Sequence, residues 1–120
     1  MSGSFEPIAI VGRACVLPGA LSPEALFDAV RSARVMIDEA PEGSWGLDSS
    51  RLMHEQSPGA SREYVVSNRG GYVTGFDELF DERYFADRIK DLGRLDDLTR
   101  WLLHCSRVAL SEAGAESVPS

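Results

Sequence analysis

The stretch EPIAIVGRACVLPG, Glu6 to Gly19, decides how the rest of the chain is read. Its centre, Ile8 to Val11, is a continuous apolar run rich in β-branched side chains. A run of this kind, without alternation, predicts a strand buried on both faces in a sheet flanked by helices. Gly12 ends it, and LPGALSPE leads away through turn residues. Cys15 lies in that exit, a plausible place for a nucleophile. A reactive thiolate needs a base, a cation or a helix N-terminus to lower its pKa. Arg13 is the only cation close to it in sequence, and no histidine is near. Cysteine outside disulfides is among the most buried residue types, so Cys15 reads as a small packed thiol.

Working outward, Ser22 has the character of an N-cap, with Pro23 at the first helical position and Glu24 beside the positive helix end. Leu26, Phe27, Val30 and Ala33 recur at helical spacing and predict an amphipathic helix over 23–34. Arg31 and Arg34 fall at its end, where cations are favoured. No period survives from Asp38 to Glu63, and residues 39–63 are read as a long irregular loop anchored by Trp45 and Leu47. YVVSNRGGYVTGF predicts extended chain broken at Asn68–Gly71, with Gly70 and Gly71 supplying turn or bulge dihedrals. DELFDERYFADR predicts one or two short helical turns.

A longer helix is expected to begin near Asp96 or Asp97 and to stop at Gly114. Leu98, Trp101, Leu102, Cys105, Val108 and Ala109 mark one face, and Leu103 and Leu110 add apolar surface elsewhere. That pattern predicts burial on more than one side, and with it a cost of about 2–5 kcal/mol for Leu102→Ala. Residues 115–120 read as a tail or a continuation.

The chain of 120 residues fits one ordinary domain or a piece of a larger one. Net charge is −7, and Lys90 is the only lysine, which disfavours nucleic acid and anionic membrane surfaces as partners. No apolar run is long enough to span a membrane, and no signal-peptide pattern opens the chain. Two cysteines are too few for a disulfide scaffold, so a cytoplasmic protein with reduced thiols is expected.

Other site chemistry is sparse. His54 and His104 do not stand in a zinc-like spacing, and His104 and Cys105 point about 100° apart on a helix. Neither a G-x-G-x-x-G nor a G-x-x-x-x-G-K-S/T loop occurs, so no metal or cofactor is expected. Cys105 on an apolar helix face reads as structural. The acids between Asp77 and Asp97 form a solvated face or a protein-binding surface, and the sequence leaves both open.

EPIAIVGRACVLPGALSPEALFDAVRSAR resembles the opening of ketosynthase domains of modular polyketide synthases. APEGSWGLD is similar to that family's proline-rich Arg-Trp-Asp segment. NRGGYVTGFDELFDERYF is similar to its R-G-G-F and the Phe-rich turn after it, and RLDDLTRWLLHCSRVALSEAG to the helix ending A-L-x-D-A-G. These matches occur in order along nearly the whole chain. There are departures: Arg13 replaces a usual methionine, Val16 and Leu17 replace Arg-Phe, and LDDLTRW replaces D-P-Q-Q-R. They suggest a divergent branch.

The resemblance implies an α/β fold, the N-terminal part of a thiolase-like layered α/β architecture, with residues 1–120 as an incomplete portion. It implies a parent β-ketoacyl synthase of polyketide or fatty acid biosynthesis, an acyltransferase that performs decarboxylative condensation. The parent's partners would be an acyl carrier protein and the remainder of the synthase, in a homodimer or heterodimer. The family's nucleophile lies in a later, small-residue-rich motif, and its two histidines lie later still. The cysteine matching Cys15 is not that nucleophile, so no catalytic residue is assigned here. The alternative is a non-catalytic docking module, resembling a chain-length factor or a truncated ketosynthase.

Overall fold

A computed structural model describes residues 6–46, 53, 65 and 67–115. These fall into two compact units. One joins the chain up to Val16 with Phe76 onward; the other runs from Leu17 to Gly75. Helices and a short antiparallel β pair are both present.

The second unit opens with a tight turn. Leu17 and Ala20 exchange backbone hydrogen bonds of 2.9 and 3.1 Å across Pro18 and Gly19. Gly19 has φ +68°, the left-handed value that a type II turn demands after proline. Helix α1 follows, Pro23–Arg31. The Ser22 side chain accepts from the Ala25 N–H at 3.1 Å, which confirms the predicted cap. The helix is shorter than the spacing suggests. Ala33, at φ +49°, ends it. The N–H groups of Ala33 and Arg34 donate back to the carbonyls of Val30 and Ala29, forming a Schellman motif. Ala29 is the buried residue of α1, while Phe27 and Val30 are exposed.

Strand β1, Asp38–Glu39, pairs antiparallel with β2, Arg69–Gly70. The irregular loop expected from residue 39 therefore begins with one paired residue. Trp45 is half-buried, and Met53 bridges to Val65 in parallel. Leu47 and most of that loop, like the tail after Ala115, lie outside the described residues. Gly70 and Gly71 do not supply positive φ. Their lack of a side chain serves close approach instead. A Cβ on Gly70 would lie 3.4 Å from the Tyr72 ring, and one on Gly71 would lie 2.9 Å from Pro18. The Tyr72 hydroxyl donates to the Asn68 carbonyl at 3.1 Å, which holds the ring over this backbone.

The first unit is helical. Short helices α2, Phe76–Leu79, and α3, Glu82–Ala86, occupy the stretch whose sequence predicts helical turns. A 3₁₀ turn, Leu92–Arg94, leads to α4, Asp97–Glu112. Asp96 caps α4 by accepting from the Thr99 N–H at 2.7 Å. Gly114, φ +71°, closes it with a second Schellman motif. The core is aromatic. Phe76, Phe80 and Phe85 are each 5% exposed. Phe80 stacks on Phe85 at 5.1 Å between ring centroids, and Phe76 meets Trp101 edge-on at 6.3 Å.

Two expectations fail in this unit. Ile8 to Val11 form no strand, and Ile8 and Ile10 are 89% and 85% exposed. Helix α4 has no fully buried residue, and Leu98, Leu102 and Leu110 are exposed. Both have one physical cause. A central strand is stable only when neighbouring strands satisfy its N–H and C=O groups. Among the described residues no strand pairs with Ile8–Val11, and nothing covers the outer side of α4.

Candidate functional site

The residues singled out in the sequence converge where the opening segment meets the end of α4. Gly12 lies hard against the helix. A Cβ there would collide with the Ala109 carbonyl oxygen and stand 3.3 Å from the Ala113 Cβ. Only glycine permits that approach. The next residue fastens it. The Arg13 backbone N–H donates to one carboxylate oxygen of Glu112 at 2.5 Å. The guanidinium donates to the other oxygen from Nε at 3.2 Å and from Nη2 at 3.0 Å. The Arg13 guanidinium and backbone N–H together hold the Glu112 carboxyl below the usual carboxylate range. Arg13, a charge where the resembled family has methionine, thus has a partner at the far end of the chain.

Cys15 and Cys105 are both half-buried. Burial, and secondarily the nearby Cys15, push the Cys105 thiol above its ordinary value, so it stays protonated at neutral pH. That is the opposite of an activated nucleophile. Cys15 is packed less deeply than its sequence neighbourhood suggests, because the run before it is itself uncovered.

His104 meets the Phe76 ring edge-on at 5.5 Å. Burial and the charge of Arg107 lower its pKa, favouring neutral imidazole. It packs as an aromatic member of the core. His54 lies outside the described residues. Among the described residues, no group of three or more His, Cys, Asp or Glu is arranged to hold a metal ion. No helix of the described residues is long and apolar enough to cross a membrane.

The acidic segment is partly paired with α4. Asp81 caps α3 by accepting from the Tyr84 N–H at 3.2 Å, and it also takes Arg107 Nη1 at 2.7 Å. The Arg107 bond, followed by the cap, lowers the Asp81 pKa. The Arg107 guanidinium lies 3.7 Å from the Tyr84 ring centroid. Arg100 pairs with Asp77 at 2.9 Å and lies over the Phe80 ring at 4.9 Å. These acids therefore help to fold the helical unit. Sequence reasoning misses the roles of Glu112 and Arg107, because their partners lie far from them along the chain. A lone arginine beside an apolar run is the one available signal.

A protein-family model described as the N-terminal domain of β-ketoacyl synthase matches residues 5–119. The chain belongs to the β-ketoacyl synthase family. Among curated relatives of this ketosynthase chain is a highly reducing polyketide synthase of Pyrenophora dematioidea. It is 34% identical over 114 residues, which cover 92% of this chain and 4% of that protein. Mycoketide-CoA synthase of Mycobacterium tuberculosis is 35% identical over 114 residues, 94% of this chain and 3% of that protein. A mycocerosic acid synthase-like polyketide synthase of Mycolicibacterium smegmatis is 30% identical over 109 residues, 90% of this chain and 5% of that protein. The chain thus spans only a small part of the length of these relatives. No solved structure gives a significant match.

Proposed function

We propose that this chain is the opening portion of a ketosynthase domain with a thiolase-like layered fold, whose complete protein is a polyketide synthase. That protein would join acyl chains by decarboxylative condensation on an acyl carrier protein, and residues 1–120 would contribute scaffold rather than catalysis. The observation that carries this reading is the family match across residues 5–119, with polyketide synthases among the relatives. The local chemistry agrees with it. The Cys105 thiol, which feels Cys15, is held protonated, and the Arg13 guanidinium is bonded to Glu112. Neither arrangement activates a thiol for acyl transfer. The test is incubation with an acylated acyl carrier protein, followed by intact-mass and peptide analysis. No acyl group should settle on Cys15. A stable acyl-Cys15 adduct, abolished by Cys15→Ser, would overturn the scaffold role.

A second reading, a non-catalytic module that docks to synthase partners, is favoured by one observation. Ile8, Ile10 and Val11 are exposed, as are Leu98, Leu102 and Leu110 on α4. Exposed apolar surface of this extent marks a face that expects a cover. Chemical cross-linking to a synthase from which this portion has been deleted distinguishes the readings. A docking module gives a saturable complex, and a scaffold portion does so only if condensation activity is restored with it.

A further inference from the structure

Helix α4 leaves one row of side chains uncovered. Leu98, Leu102, Ser106 and Leu110 recur at every fourth residue of Asp97–Glu112, and all four are exposed. Residues at that spacing form an i±4 ridge, the kind that packs most often between helices of globular proteins. A solvated helix face normally carries charged side chains. This ridge carries none. The charged residues of α4 lie off it and are engaged within the chain: Arg100 with Asp77 and Asp97, Arg107 with Asp81, and Glu112 with Arg13. The opening segment leaves the ridge clear. Gly12 lies against the Ala109 carbonyl and the Ala113 Cβ, yet Leu110 is still 52% exposed.

We infer that a second copy of this chain covers the ridge, with the two α4 helices antiparallel about a twofold axis. An i±4 ridge packs into the grooves beside another i±4 ridge, which a second copy supplies. Pairing centred between Leu102 and Ser106 brings Leu98 level with the partner's Leu110. It brings Leu102 level with the partner's Ser106, large beside small, and each contact occurs twice. The helix dipoles oppose one another. No charge of α4 has to give up its own partner, because all of them are paired away from the ridge. One face of one helix is smaller than the roughly 800 Å² per partner of a standard interface, so the dimer is weak. The dilute chain is monomeric, with the ridge in water, and the concentrated chain is dimeric. Each copy carries a net charge of −7, which opposes the pairing, so added salt tightens it by screening that repulsion.

The test is sedimentation of the full chain from micromolar to near-millimolar concentration, at low and high salt. The mass should rise from monomer to dimer and stop there, and the rise should come at lower concentration in high salt. Leu102→Ser and Ser106→Glu, both at exposed positions, should keep the chain monomeric, while Ile10→Ser should leave the dimer unchanged. Far-UV circular dichroism checks that each variant folds. Hydrogen exchange on the wild type decides the matter without variants: protection that grows with concentration should appear in α4 and not at residues 8–11. Four results would overturn the inference: a monomer at every concentration, growth past the dimer, loosening by salt, or a dimer lost in Ile10→Ser and kept in Ser106→Glu. A monomer throughout leaves the docking reading standing with another partner on this face. The scaffold role is read separately, by acyl transfer to Cys15.

Discussion

Two apolar regions of the helical unit have opposite fates. Phe76, Phe80 and Phe85 are buried, while Ile8, Ile10 and Val11, equally apolar, stand in solvent. The difference lies in what each needs in order to be buried. The phenylalanines sit on α2, the loop after it and α3, whose backbone bonds are local, and Trp101 and His104 of α4 complete their surroundings. Ile8–Val11 favour a strand, and a strand takes its hydrogen bonds from other chain segments. Apolar character sets the demand for burial, and the availability of neighbours decides whether it is met.

Breaking the buried half should have the largest effect. Phe76→Ala removes a ring that contacts Phe80, Trp101 and His104, and should cost about 3–5 kcal/mol in denaturant unfolding. A loss under about 1 kcal/mol would mean that the aromatic cluster is not the core. Next comes the junction of the two regions. Gly12→Ala forces a methyl into the Ala109 carbonyl and should cost about 1–3 kcal/mol, with faster hydrogen exchange at Arg13. Unchanged stability would show that the opening segment does not rest on α4.

The two Schellman motifs offer a sharper, smaller contrast. Gly114 closes α4 at φ +71°, whereas Ala33 closes α1 at φ +49° with a Cβ that disfavours it. Ala33→Gly should therefore raise stability by about 0.5–1 kcal/mol, and Gly114→Ala should lower it by a similar amount. Smaller still is the uncovered side. Leu102, 60% exposed, should tolerate alanine within about 0.5 kcal/mol in this chain, in contrast to the core-like cost its helical spacing suggests. A cost above about 2 kcal/mol would mean that this face is covered in solution.

The shallowest effect is that of pH. His104 has its pKa lowered from 6.5, so the fold favours its neutral form and stability falls as pH drops below 6.5. Asp81 and Asp96, lowered from 3.8, and Glu112, lowered from 4.5, add a second decline in acid as their bonds are lost. Cys105 acts in the opposite direction. Raised above 9.0, it withdraws stability as pH climbs past that value. Thermal unfolding across pH should show a neutral plateau with both shoulders. In His104→Phe the decline that starts near pH 6.5 should vanish while the acid decline remains.

Much of the local structure is legible in the residues. Ser22 and Asp96 cap their helices as their types suggest, Pro18–Gly19 forms the turn that its dipeptide favours, and helical turns occur within residues 76–86. Each depends on neighbours a few residues apart. Family membership is legible for a related reason, since short motifs in a fixed order identify a chain better than any single contact.

The helix caps, the Pro18–Gly19 turn, the approximate helix positions and the family follow from the residues alone, because short-range sterics and hydrogen bonds act within a few residues. Which faces are covered follows from tertiary contacts alone. Arg13 is bonded to Glu112 across the length of the chain, Gly70 and Gly71 serve close approach rather than a turn, and Ile8–Val11 and the outer side of α4 stay exposed. Those outcomes depend on segments distant in sequence, and a pattern of residues states the need for a neighbour without saying whether one is present.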